Sequence, residues 1–283
     1  MYRKGNSFRP AFTICKFKYK EVTGVGAIYG CECPYGTIRT LFITSYEMLE
    51  ISNVNEVSNL LLVFEDKTIG NLYITPDWVK WLFTSPADNV TVIEFSLTAL
   101  SILSRMRYER LAPADPILNE VVSVFQYSCE GSLIIGKGRV KKVFGKFIEY
   151  TNMSQRTTER SLGNEEYCCG FPLLNEQLKV VGIHTNKVGE GETLKAITIK
   201  SILEAFETFI TEKLGGRTEN ELWLEKIAQI PKNEFHLIGS GGFGKVYKIE
   251  ESNSSVTFLA VKVVSALGSL DDYKSRECTG QFR

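Results

Sequence analysis

No stretch of this 283-residue chain comes near the eighteen consecutive apolar residues that a membrane-spanning helix needs. The opening MYRKGN leads into no apolar run of the secretory kind, so no leader peptide is predicted. An excess of charge of either sign is also missing. With 33 basic and 33 acidic side chains the formal net charge is +0, and composition gives no reason to expect nucleic acid or an anionic membrane as partner. Histidine is scarce, with two in the whole chain. Seven cysteines are present, but Cys31-x-Cys33 and the vicinal Cys168-Cys169 lack the paired spacing of a zinc site, so no metal is expected. An odd number of cysteines without an export signal predicts reduced thiols and a cytoplasmic location. Repeats of 20–50 residues and low-complexity tracts are absent as well. What remains is a globular chain, 43% hydrophobic, long enough for two domains and a sizeable core.

From residue 11 to 198 short runs of β-branched and aromatic residues alternate with Gly, Pro, Asn and Asp. They predict strands at 11–18, 24–31, 37–44, 60–65, 90–95, 121–127, 133–137, 140–150, 179–184 and 194–198. So many short strands in succession suggest an all-β sandwich or barrel. An amphipathic helix follows from Ile199 to about Leu214, with Ile202, Leu203, Phe206, Phe209 and Ile210 on its apolar stripe and Gly215-Gly216 ending it. A shorter helix is expected over 219–229, stopped by Pro231.

Three segments of this β region resemble the trypsin-like peptidases, whose fold is a double β-barrel. Thr23–Gly30 (TGVGAIYG) is similar to an opening strand of that family, followed by Leu41–Leu49 (LFITSYEML), where the family's catalytic histidine position falls on Glu47. Asp88–Phe95 (DNVTVIEF) places Asn89 at the catalytic aspartate. Tyr167–Leu173 (YCCGFPL), with the trailing Lys179–Thr185 (KVVGIHT), resembles Gly-x-Ser-Gly-x-Pro and its following strand, so the nucleophile position is Cys169. The resemblance covers roughly residues 10–214 and implies a mainly β fold, a double barrel with a C-terminal helix.

All three catalytic positions are altered. Acyl transfer needs a base that takes the nucleophile's proton and returns it to the leaving amine, and imidazole suits this near pH 7. A carboxylate's ordinary pKa, about 4.3, lies far below a thiol's, about 8.5, so carboxylate is a poor base for a cysteine. Tyr167 replaces the glycine that the resemblance expects in the oxyanion hole, and His184 follows the nucleophile on a specificity-pocket strand, the wrong side for a base. The expectation is a pseudoprotease, with His184 a possible lining of a residual peptide pocket. Viral relatives of the fold use cysteine as nucleophile but retain the histidine. The basic stretch Lys137–Lys146 (KGRVKKVFGK) reads as strand faces in solvent, its interleaved Val and Phe fitting a two-faced strand better than a nucleic-acid site, and no nucleic acid is expected as partner.

Near the C-terminus Gly239, Gly241 and Gly244 stand at G-x-G-x-x-G spacing, followed by Val246 and then by Lys262 in Ala260-Val-Lys-Val. Glycines at this spacing let a strand–turn–strand unit close over phosphates and present backbone N–H groups without a Cβ in the way. Residues 233–283 resemble the start of the N-terminal lobe of a eukaryotic protein kinase. The resemblance implies ATP as ligand, with Val246 over the adenine, Lys262 on the α- and β-phosphates and Glu277 as its ion-pair partner. No His-Arg-Asp or Asp-Phe-Gly motif follows Lys262, so magnesium and phosphotransfer are expected only of a full-length kinase; the ending CTGQFR reads as a truncated gene product or an alternative splice end.

The expected organisation is a pseudoprotease domain at 1–214, a helical linker at 215–232 and a partial kinase lobe at 233–283. The expected function is ATP binding by a kinase segment fused to a catalytically dead trypsin-like domain whose barrel meets a protein or peptide partner. The alternatives are a non-catalytic scaffold or decoy, and a cysteine peptidase using Cys169.

Overall fold

The computed structural model describes residues 14–32, 38–64, 71–103, 112–127, 133–152, 169–187, 193–217, 221–222, 235–241, 244–250, 258–263 and 278–279. Two compact units divide the chain: residues 1–31 with 39–209, and residues 32–38 with 210–283.

The first half of the larger unit is a seven-stranded antiparallel sheet built from β1 (Ile14–Tyr19), β2 (Val22–Glu32), β3 (Ile38–Thr44), β4 (Leu60–Val63), β5 (Asn71–Tyr73), β6 (Val79–Ser85) and β7 (Val90–Phe95). Its strand order is β5-β4-β1-β2-β3-β7-β6. Alternation along β1 turns Cys15, Phe17 and Tyr19 inward, where they join Ile28, Phe42, Leu62, Ile93 and Phe95 in one apolar cluster. Phe17 and Phe42 meet edge to face, their ring centroids 5.9 Å apart. The helix α1 (Leu97–Leu103) closes this cluster with Ala99 and Leu103.

The second half is a closed six-stranded barrel of β8 (Val121–Tyr127), β9 (Leu133–Phe144), β10 (Phe147–Asn152), β11 (Pro172–Leu174), β12 (Val180–Lys187) and β13 (Thr193–Thr198), in the order β10-β13-β12-β11-β8-β9. The expected single strand over 140–150 is instead a hairpin. Gly145 takes φ +55 in a two-residue loop between Phe144 and Phe147, the first loop position that a type II′ turn reserves for glycine. Conversely, the predicted strands at 133–137 and 140–150 merge through Gly138-Arg139 into the twelve-residue β9.

The helix α2 (Ile199–Lys213) forms where the apolar stripe predicts it. It stops at Gly215 (φ +69) and Gly216 (φ +80), whose N–H groups donate to the carbonyls of Glu212 and Thr211. That pair of bonds is a Schellman motif. Within the larger unit Phe206 and Phe209 pack on Phe83, and Phe209 also meets Trp81 of β6. Arg39, 8% exposed, lies beneath the helix and pairs with Glu94 (3.4 Å) and with Glu207 of α2 (3.3 Å); Lys80 completes the group on Glu94 at 3.2 Å. The predicted helix over 219–229 lies outside the described residues except for 221–222.

Tyr29 is fully packed in the core of this unit, and among the described residues its hydroxyl has no hydrogen-bond partner. Burial pushes the phenol well above its ordinary range. An unsatisfied buried hydroxyl costs about 1–3 kcal/mol. Tyr29→Phe is therefore expected to raise stability by about 1 kcal/mol, read as a higher urea midpoint at unchanged m-value.

The smaller unit carries an antiparallel four-stranded sheet, β14 (Phe235–Gly241), β15 (Gly244–Glu250), β16 (Phe258–Val263) and β17 (Cys278–Thr279), in that order. Gly241 pairs with Gly244 across the β14–β15 hairpin, a register shift falls between Leu237 and Gly239, and Val246 lies directly opposite Lys262. Glu277 lies outside the described residues, as do Tyr167 and Cys168. Among the described residues no helix is long and apolar enough to cross a membrane.

Candidate functional site

Glu47, Asn89 and Cys169 come from three separate segments and meet in one place. After β3, the backbone folds into a single helical turn in which the Leu49 N–H donates to Ser45 O at 3.1 Å, and Glu47 stands exposed at its crest. Asn89 caps the short turn Pro86–Asp88 with φ 51, a left-handed conformation that asparagine adopts more readily than most residues. From there its Oδ1 accepts the Glu47 N–H at 2.8 Å, and its Nδ2 donates to Thr185 O on β12 at 3.2 Å. Cys169, just before β11, lies with Sγ 3.0 Å from that same Thr185 oxygen and 3.9 Å from Glu47 Oε2. Asn89 thus ties the turn carrying Glu47 to the strand that flanks the thiol.

The chemistry of this group follows from its acceptors. A thiol has one proton to donate, and both Thr185 O and the Glu47 carboxylate accept it. The negative charge beside the sulfur opposes thiolate formation. Among the described residues of the larger unit, no imidazole is hydrogen-bonded to the thiol. Of the two histidines, His184 is 1% exposed, its ring stacked on Phe171 at 4.6 Å and its Nδ1 2.8 Å from the Tyr150 hydroxyl. The side chain expected to line a peptide pocket is thus enclosed between two aromatic rings in the barrel. The position of His236 on β14 belongs to the smaller unit.

Gly170 fixes the sulfur's position. It adopts φ +93, and its N–H donates to His184 O at 2.9 Å while His184 N–H donates to Phe171 O at 2.9 Å, continuing the β11–β12 pairing up to the cysteine. On its other side lie Thr44, Ser45 and Val25 of the first sheet, where Thr44 Oγ1 donates to Val25 O at 2.6 Å. Beside Glu47 a cavity of about 510 Å³ opens, lined by Tyr19, Lys20, Met48, Glu50 and Glu56 among others. Sequence reasoning singled out Glu47 but not this cavity, because its other walls come from β1, the β1–β2 turn and residues 50–56, which carry no motif.

The larger unit is thus a mainly β body, a seven-stranded sheet and a closed six-stranded barrel, with a thiol, a carboxylate and a carboxamide where the two meet. No protein-family model matches the chain, and no curated protein does. Solved structures that it is similar to include the inactive form of the Rv3671c protease of M. tuberculosis (14% identity, 69% of this chain and 87% of that one, TM-score 0.47). Others are the serine protease domain of the Sesbania mosaic virus polyprotein (15% identity, 69% and 91%, TM-score 0.48) and a Glu endopeptidase bound to MPD (10% identity, 75% and 96%, TM-score 0.49).

Proposed function

We propose that residues 1–214 are a trypsin-like domain that has lost peptidase chemistry and serves as a protein- or peptide-binding module. One observation carries this reading: the position aligned with the family's base holds the Glu47 carboxylate, 3.9 Å from Cys169 Sγ. Support comes also from Asn89, which bonds the Glu47 N–H and Thr185 O and so holds the Glu47 turn beside the strand next to the thiol. The cavity beside Glu47 offers room for a side chain of the bound segment.

Incubation with a peptide library at pH 7–8 is expected to give no cleavage. Cys169-dependent labelling by a peptidyl electrophile, lost in Cys169→Ala, would overturn the reading and restore the cysteine-peptidase alternative. Thiol reactivity provides a second check. Peptide-mapped iodoacetamide labelling at pH 7.4 should modify Cys169 slowly, and several-fold faster in Glu47→Gln, where the opposing charge is gone. Cys15, fully buried with its thiol pushed up by desolvation, should label only in denaturant.

For residues 233–283 we infer the ATP-contacting start of a protein-kinase lobe, with Gly239, Gly241, Gly244, Val246 and Lys262 as the contact residues and Glu277 as the partner of the lysine. Its support is the glycine spacing together with the register that sets Val246 opposite Lys262 on adjacent strands. Residues 1–283 contain neither a catalytic-loop base nor a magnesium-binding motif, so they are not expected to transfer phosphate. Calorimetry should show ATP binding weaker than about 1 mM; a micromolar Kd abolished by Lys262→Ala would show that these residues suffice for a complete site.

A further inference from the structure

We draw no further inference here: the strongest candidate, the cavity beside Glu47 with Lys20, Glu50 and Glu56 in its walls, belongs to the site already described, and among the described residues nothing beyond its cluster of carboxylates shows what would fill it.

Discussion

Gly170→Ala is expected to cost about 4 kcal/mol of stability, a large share of the roughly 5–15 kcal/mol that typically holds a domain folded. Two independent terms add. Gly170 holds φ +93, where an L side chain is strained by about 1–3 kcal/mol. Its added Cβ would also press against Thr44 Oγ1 and lie 2.6 Å from Val25 O and 2.9 Å from Ser45 N. Two of those atoms are backbone within the central strands of the first sheet and its outgoing turn, so neither can move aside without breaking pairing; overpacking of this kind adds about 1–3 kcal/mol. Urea denaturation followed by circular dichroism reads the loss directly. A shift of less than about 1 kcal/mol would mean that the contact between the Cys169 segment and the first sheet is loose, and with it the geometry assigned to the thiol. The matching control is Gly145→Ala, where a Cβ meets nothing within 4 Å and only the positive φ (+55) is strained; it should lose about 1–2 kcal/mol.

Arg39→Ala is expected to cost about 3–5 kcal/mol, and the measurement is the same denaturation series. Arg39 and Glu94 are both under 10% exposed, so removing the guanidinium leaves a buried carboxylate that keeps its contact with Lys80. The loss extends beyond charge. The Arg39 guanidinium also faces the Phe206 ring at 5.8 Å and binds Glu207, so it helps hold α2 against the first sheet. Replacing the pair by apolar residues, Arg39→Met with Glu94→Leu, should recover at least half of the lost stability, because a buried ion pair gives little net gain over hydrophobic packing of similar volume. If Arg39→Ala and the double variant were equally unstable, the role of Arg39 would lie in its packing on Phe206 and not in its charge.

Much of the fold was legible in local pattern. The strands at β1, β2, β3, β7, β8 and β12 follow runs of Val, Ile, Thr and aromatic residues between turn formers, and α2 follows its 3.6-residue stripe up to the glycines that end it. β6 was missed although VKWLFTS is rich in strand formers. Its Trp81 and Phe83 face the distant helix α2, so the expected alternation of apolar and polar residues never develops along it. The hairpin at Gly145 was read as one strand because Gly-Lys is a weaker turn signal than the Asn-Gly or Asp-Gly pair of a typical two-residue loop. The short β5 and β11, three residues each, fall below the length at which periodicity registers.

The candidate site divides along the same line. By itself the sequence determined which chemistry was missing: glutamate where a base would stand, asparagine beside it, cysteine at the nucleophile position, and glycines spaced for a phosphate loop, since residue type and spacing are properties of the chain. Tertiary structure alone decided that Glu47, Asn89 and Cys169 meet. Their contacts span 42 and 122 residues of sequence, and the Asn89–Thr185 bond spans 96. It decided likewise that His184 is enclosed by Tyr150 and Phe171, and that Gly170 has no room for a methyl group. The physical reason is that propensity acts over a few neighbouring residues, whereas strand order and register, set by burial of the whole sheet, determine which distant side chains share a face.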